Sequence, residues 1–200
     1  MDDADADADG TAGDAAASSD ADPLAWERRD TEIDYTCPGF DVRRDAVRFP
    51  DGTDAAYHYV DEDPAVVVLP FTPDGEVVTI DEWRQAVGRV NHGLPAGSVE
   101  PADDDLAAAA RRELAEETGH EAGSVEHRLT VEPTNGIANS VHHLFVARDC
   151  EPTAERDLDP NESIRVRVRP YDDLLAAAVD GDLRDGRTVL ALCHHELTSR

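Results

Sequence analysis

GLPAGSVEPADDDLAAAARRELAEETGH, residues 93–120, joins a Gly/Pro loop, three consecutive aspartates, an alanine-rich body and an acidic last turn closed by Gly119. Asp103, Asp104 and Asp105 suit the start of a helix, because a short carboxylate accepts orphan amide hydrogens and favours the positive end of the dipole. Gly119 suits its end, since glycine takes the left-handed conformation that stops a helix. Between them Glu113, Glu116 and Glu117 are spaced i, i+3, i+4, so their carboxylates leave one face of the last two turns.

Like charges at that spacing repel by a few tenths of a kcal/mol per pair, and acids near a helix C-terminus oppose the dipole. A solvated surface face is the competing reading. The helical wheel argues against it: at about 100° per residue Glu117 falls between Leu106 and Leu114, and Glu113 lies only slightly off that arc. Carboxylates that point where the leucines point are more simply explained by bound cations.

The stretch resembles the Nudix box, a glycine, five residues, a glutamate, seven residues, then R-E-U-x-E-E-x-G-U with U aliphatic. Arg112, Glu113, Leu114, Glu116, Glu117 and Gly119 match at their relative spacings, and Gly97 matches the opening glycine. The chain departs from the pattern at Asp104, where the family has glutamate, in a loop one residue longer after Gly97, and at His120 in place of the last aliphatic. DEWRQAVGR before LPAG, and GDLRDGRTVLAL near the C-terminus, resemble the branch that hydrolyses ADP-ribose and related nucleoside diphosphate sugars. Gly93 stands where many of that branch have glutamate. The resemblance implies an α/β/α sandwich with a mixed sheet, and often a homodimer with N-terminal strands exchanged or packed between subunits.

Working outward, the chain has 200 residues, enough for one sizeable core. It has 45 acidic and 18 basic residues, all of the latter arginine, and a formal charge of -27. Such a surface repels nucleic acid and anionic membrane, and with few aromatics it indicates a protein adapted to high salt, from a halophilic source. Cys37, Cys150 and Cys193 are odd in number and far apart, which reads as free, mostly buried thiols in a reducing cytosol. No apolar run reaches membrane-span length, and the N-terminus is acidic where a signal peptide would be basic, so a cytoplasmic location is expected.

Residues 1–22 are low-complexity Asp/Ala/Ser/Gly and are expected to form a disordered tail. Residues 23–60 carry three strand-like runs, Trp26–Tyr35, Phe40–Phe49 and Ala55–Val60, the last two joined at Pro50–Thr53: a small antiparallel β lobe. In residues 61–200, the main domain, Ala65–Leu69 reads as a strand buried on both faces, followed by strands at Glu76–Trp83, Ser124–Glu132, Val141–Ala147 and Ile164–Val168. An acidic loop spans Glu151–Ser163, and helices are expected at Tyr171–Val179 and Thr188–Leu197.

A pyrophosphate resists attack by water until its charge is neutralised, and Mg²⁺ does this with a few carboxylates plus substrate oxygens; Mn²⁺ is a possible substitute. Glu113, Glu116 and Glu117 supply the carboxylates, and the resemblance adds the Ala96 carbonyl. Arg112 could fix a glutamate through a bidentate pair. Arg84, at the end of a buried strand and close in sequence to the loop that carries Gly97, a further substrate-binding candidate, is either a phosphate clamp or a surface or dimer salt-bridge partner. Trp26 and Trp83 either stack on an adenine or pack in a core. His142, His143, His194 and His195 read as structural. Glu162, in the acidic loop where the resembling enzymes carry a mobile acidic segment, is the candidate base for water, against the alternative of one more solvated acid. The preferred reading is Mg²⁺-dependent hydrolysis of ADP-ribose to AMP and ribose 5-phosphate. The alternatives are another nucleotide (NADH, a dinucleotide or an oxidised nucleotide), or a Nudix-like sensor that binds without cleaving.

Overall fold

The computed structural model describes residues 22–160 and 162–199. The expected disordered tail, Asp22 apart, lies outside the described residues. Close contacts group the chain into two units, one holding residues 22–32 and 44–57, the other 33–43 and 58–199. Strands β1 (Glu27–Cys37), β2 (Phe40–Arg48) and β3 (Asp54–Asp61) form an antiparallel sheet in the order β1-β2-β3 and contribute residues to both units. The Phe49 amide donates to the Thr53 carbonyl and the Gly52 amide to the Phe49 carbonyl, closing the expected turn.

The second unit holds the remaining elements: β4 (Ala65–Pro70), β5 (Glu76–Arg84), β6 (Arg89–Gly93), β7 (Ala96–Ser98), α1 (Leu106–Thr118), β8 (Glu121–Val131), β9 (His142–Glu151), β10 (Ile164–Pro170), α2 (Tyr171–Asp180) and α3 (Gly186–Thr198). One sheet runs β7-β4-β9-β8 and another β10-β5-β6. β4 and β9 are parallel while their outer neighbours are antiparallel, so the sheet is mixed.

The apolar run of β4 is explained by what covers each face. Val66 and Val68 pack with Ala109, Ala110 and Leu114 of α1. Val67 and Leu69 pack with Leu174 of α2 and Leu192 of α3. Alternate residues of one strand thus serve two layers, the α/β/α arrangement. Each of these four side chains is buried, worth about 1.5–3 kcal/mol apiece. Among the described residues no helix is long and apolar enough to cross a membrane. All three cysteines are free; Cys150 is buried, whereas Cys37 and Cys193 are only partly so.

Two departures from the sequence reading lie beside the site. The Gly/Pro stretch is not all loop: Gly93 ends β6, which pairs with β5, and after Leu94 and Pro95 the residues Ala96–Ser98 form β7, which pairs with β4 through Val66 opposite Gly97. Backbone pairing tolerates glycine where a side chain would be in the way. The helix also starts later than the three aspartates imply. Asp105 alone is the cap, accepting from the Ala108 amide at 2.8 Å, while Asp103 accepts from the Glu100 amide in the preceding turn.

Candidate functional site

The last two turns of α1 carry Glu113 and Glu117 inward. Glu117 is 2 % exposed and Glu113 8 %, beside Leu114 at 0 %; Glu116 is half-buried. β7 lies against these carboxylates. Glu117 Oε2 accepts the Ala96 amide at 3.0 Å. A Cβ at Gly97 would stand 2.3 Å from Glu113 Cδ and from each of its oxygens, so the carboxylate occupies the space that only glycine leaves. Gly119 ends the helix with φ 74°, its amide donating to the Ala115 carbonyl.

Arg112 joins the helix to the loop before it. Its Nε and Nη2 donate to Asp103 Oδ1 and Oδ2, both at 3.0 Å, and Nη2 also donates to the Ser98 carbonyl at 2.9 Å. Nη1 donates to Glu113 at 2.8 Å and to Glu116 at 3.0 Å. The bidentate partner is therefore Asp103, not a glutamate, because Nε and Nη2 face the preceding turn and leave the two N–H donors of Nη1 to serve one glutamate each. That guanidinium holds Asp103 below the usual carboxylate range. It does not do so for Glu113, where burial outweighs the ion pair and pushes the carboxyl up to about 7. Burial pushes Glu117 up to about 8, with Glu113, Glu162 and Glu82 adding to the shift.

These carboxylates open on a cavity of about 460 Å³. Arg84, Ala96, Gly97, Arg112 and Glu162 line it together with the three box glutamates. Arg84 is paired with Glu82 at 2.8 Å. Glu162 Oε2 accepts the Asp159 amide at 3.0 Å, holding it to its own loop. Trp26 is not in the wall; it packs edge-on against Phe49 at 4.4 Å and Tyr57 at 5.6 Å in the first unit. Trp83 donates its Nε1–H to Gln85 at 3.0 Å. Sequence reading did not single out Asp157, Asp159 or Arg187, and took His142 as structural; all four line the cavity.

The link between β6 and β7, just before Ala96 and Gly97, is secured from the C-terminal helix. The Leu94 amide donates to Thr188 Oγ1 at 2.9 Å, and Asp185, the cap of α3, accepts from the Thr188 amide and hydroxyl. A Cβ at Gly93 would lie 3.3 Å from both Asp185 Oδ2 and Thr188 Oγ1. Glycine at that position thus permits the clip, which accounts locally for its presence before LPAG.

Among the described residues no three His, Cys, Asp or Glu side chains are already closed around a metal position. Arg112 occupies Glu113 and Glu116, and Glu117 faces the Ala96 amide. The donor chemistry nevertheless fits a hard divalent cation. Two buried, mutually repelling carboxylates with raised pKa values are what a bound cation would relieve, and all the donors are oxygens.

The NUDIX domain model matches residues 61–191. The chain is 27% identical to the ADP-ribose pyrophosphatase of Bacillus subtilis over 158 residues, 78% of this chain and 85% of the relative. It is 31% identical to the GDP-mannose pyrophosphatase of Cronobacter sakazakii over 141 residues, 66% and 73% of the two chains. The solved structure of an ADP compounds hydrolase superposes with a TM-score of 0.76 at 22% identity, covering 86% of this chain and 92% of the other.

Proposed function

The chain belongs to the NUDIX family and is a Nudix hydrolase, and from that premise we propose that it cleaves the pyrophosphate bond of a nucleoside diphosphate sugar, ADP-ribose in preference. The observation that carries the reading is the pair of buried carboxylates, Glu113 and Glu117, facing Gly97 and Ala96 at the mouth of a polar cavity. Relatives named for ADP-ribose and GDP-mannose support the substrate class.

In this reading Mg²⁺, or Mn²⁺ in its place, is held by Glu113, Glu116, Glu117 and the Ala96 carbonyl, where it supplies neutralisation of the diphosphate charge. Arg112 fixes the direction of Glu113 and Glu116 from a base anchored on Asp103. Arg84 stands at the end of β5 to contact a phosphate, and Gly97 lets the loop approach closely. Glu162 takes the proton of the attacking water, a task open to it because it is not one of the metal ligands. Trp26 is the candidate to stack on an adenine, its ring packed against Phe49 and Tyr57. A homodimer is part of the proposal, supported by the exposed Ile33, Tyr35 and Phe40 side chains of the N-terminal sheet.

GDP-mannose is the second reading, favoured by the 31% identical relative. A panel of ADP-ribose, GDP-mannose, NADH and nucleoside triphosphates, assayed with Mg²⁺ in molar KCl, tests both. Turnover of ADP-ribose with the highest kcat/KM and release of AMP is expected. Hydrolysis confined to triphosphates would end the diphosphate sugar reading.

A further inference from the structure

The cavity wall is acidic, with nine carboxylates against three guanidiniums among the described residues. An anionic substrate entering it must find cations, and the three arginines differ in what they have left to offer. Arg112 is committed to Asp103, Glu113, Glu116 and the Ser98 carbonyl. Arg84 has one nitrogen, Nη2, on Glu82 at 2.8 Å, so its charge is partly answered already. The Arg187 side chain makes no hydrogen bond to any described residue. Its nearest acid is Asp185, with Nε to Oδ1 at 3.6 Å, beyond direct hydrogen bonding. The other oxygen of Asp185 is engaged by the Thr188 amide and hydroxyl.

The position of Arg187 is fixed although its donors are free. It is the second residue of α3, next to the clip that Thr188 makes on Leu94, so its backbone belongs to a secured turn. Its side chain is 24 % exposed. Its charge acts on both Glu82, near the end of β5, and His142, at the start of β9. A planar fork of donors, partly withdrawn from water and facing a polar cavity, matches a phosphate group, which accepts two parallel N–H bonds.

We propose that Arg187 is a substrate-binding residue that takes a phosphate oxyanion of the nucleoside diphosphate and thereby selects for substrates carrying it. The inference rests on the diphosphate reading above and adds a residue that the Nudix box does not contain. A purely structural role is a poor alternative. An ion pair at 3.6 Å is worth at most about 1 kcal/mol, and the α3 cap depends on Asp185 and Thr188 rather than on Arg187.

The test compares Arg187→Gln and Arg187→Lys with the unaltered full chain in molar KCl. Steady-state hydrolysis of ADP-ribose gives KM and kcat, and calorimetry gives the affinity for ADP with Ca²⁺ in place of Mg²⁺. Loss of a charge-assisted bidentate contact is expected to raise KM and the ADP Kd of Arg187→Gln by about 10- to 100-fold, with kcat within about twofold and an unchanged melting temperature. Arg187→Lys should recover part of the affinity. Unchanged KM and ADP Kd in Arg187→Gln overturn the proposal, as does a variant whose melting temperature falls in step with its affinity. If the unaltered chain cleaves no diphosphate sugar, the diphosphate reading fails, yet the ADP measurement still decides. Weaker binding by Arg187→Gln supports the contact, while equal affinities, or no ADP binding by the unaltered chain, overturn it.

Discussion

Replacing Gly97 by alanine adds one methyl group where Glu113 already stands. The new Cβ would be 2.3 Å from the carboxyl carbon and both oxygens, and ordinary contact lies near 3.5 Å, so the overlap is about 1.2 Å. Gly97 does not have the positive φ of Gly119, so its backbone accepts alanine and the whole effect is steric. Two responses are open. If the carboxylate stays, overpacking of a tight site costs about 1–3 kcal/mol of folding stability. If it swings away, it leaves Arg112 Nη1 and loses a charged hydrogen bond worth about 1.5–3 kcal/mol. Either way stability falls by about 1–3 kcal/mol, roughly 2–10 °C in melting temperature for a protein of this size, and Mg²⁺-dependent turnover falls with it. Glu113→Ala removes the obstacle, so Gly97→Ala should cost little further stability in that background. The coupling, measured by urea unfolding of both single variants and the double in molar KCl, should approach the full Gly97→Ala effect. Wild-type stability and turnover in Gly97→Ala would refute the reasoning, and so would an equal Gly97→Ala cost in both backgrounds.

Glu116→Gln and Glu117→Gln should each lower Mg²⁺-dependent turnover by about 10²–10³-fold. Glu117→Gln keeps an oxygen for the Ala96 amide, so circular dichroism should show an intact fold; near-normal activity in both variants would rule the site out. Glu162→Gln should lower kcat strongly with KM and Mg²⁺ affinity nearly unchanged, and a wild-type kcat would reassign the base to Glu117. Because Glu113 and Glu117 are pushed up to about 7 and 8, their contribution to metal-free stability is full below their unfolded pKa and is lost as pH rises through 7 and 8. Chemical unfolding without metal should therefore weaken between pH 6 and 9 by on the order of a few kcal/mol, and Mg²⁺ should restore more stability at pH 9 than at pH 6. With a formal charge of -27, the melting temperature should rise by several degrees between about 0.1 and 2 M KCl, as the screening length shrinks from about 10 Å to below 3 Å; indifference to KCl would contradict the halophilic reading.

The helix carrying the glutamates was legible because its information is local. The wheel set Glu117 among the leucines, and its side chain is buried like that of Leu114 and more deeply than that of Leu106. The strand Ala65–Pro70 was equally legible, since two covered faces need an unbroken apolar run. What sequence could not give was the partner of each charge. The fork of Arg112 closes on an aspartate nine residues back, chosen by the path of the intervening turn rather than by any periodicity. β7 was hidden because glycine and proline carry turn signals, whereas here Gly97 answers to a carboxylate arriving from another element. Arg187 and His142 reach the cavity from elements far apart in the chain, and neither position carries a local mark of it.

The hydrogen bond from Leu94 to Thr188 spans 94 positions of sequence. The strand that presents Ala96 and Gly97 is therefore secured by residues made long after it, and a nascent chain that already holds all three box glutamates still lacks that contact. Such long-range closure is slow compared with helix formation, so maturation of the site should lag behind collapse of the core around β4. The pairing of β7 with β4 and the Ala96 bond to Glu117 can form earlier, so docking of the C-terminal helix would be the step that locks Leu94 and completes the site. An unfinished chain would then carry the box helix and its strand in place but not yet held from the far end of the sequence.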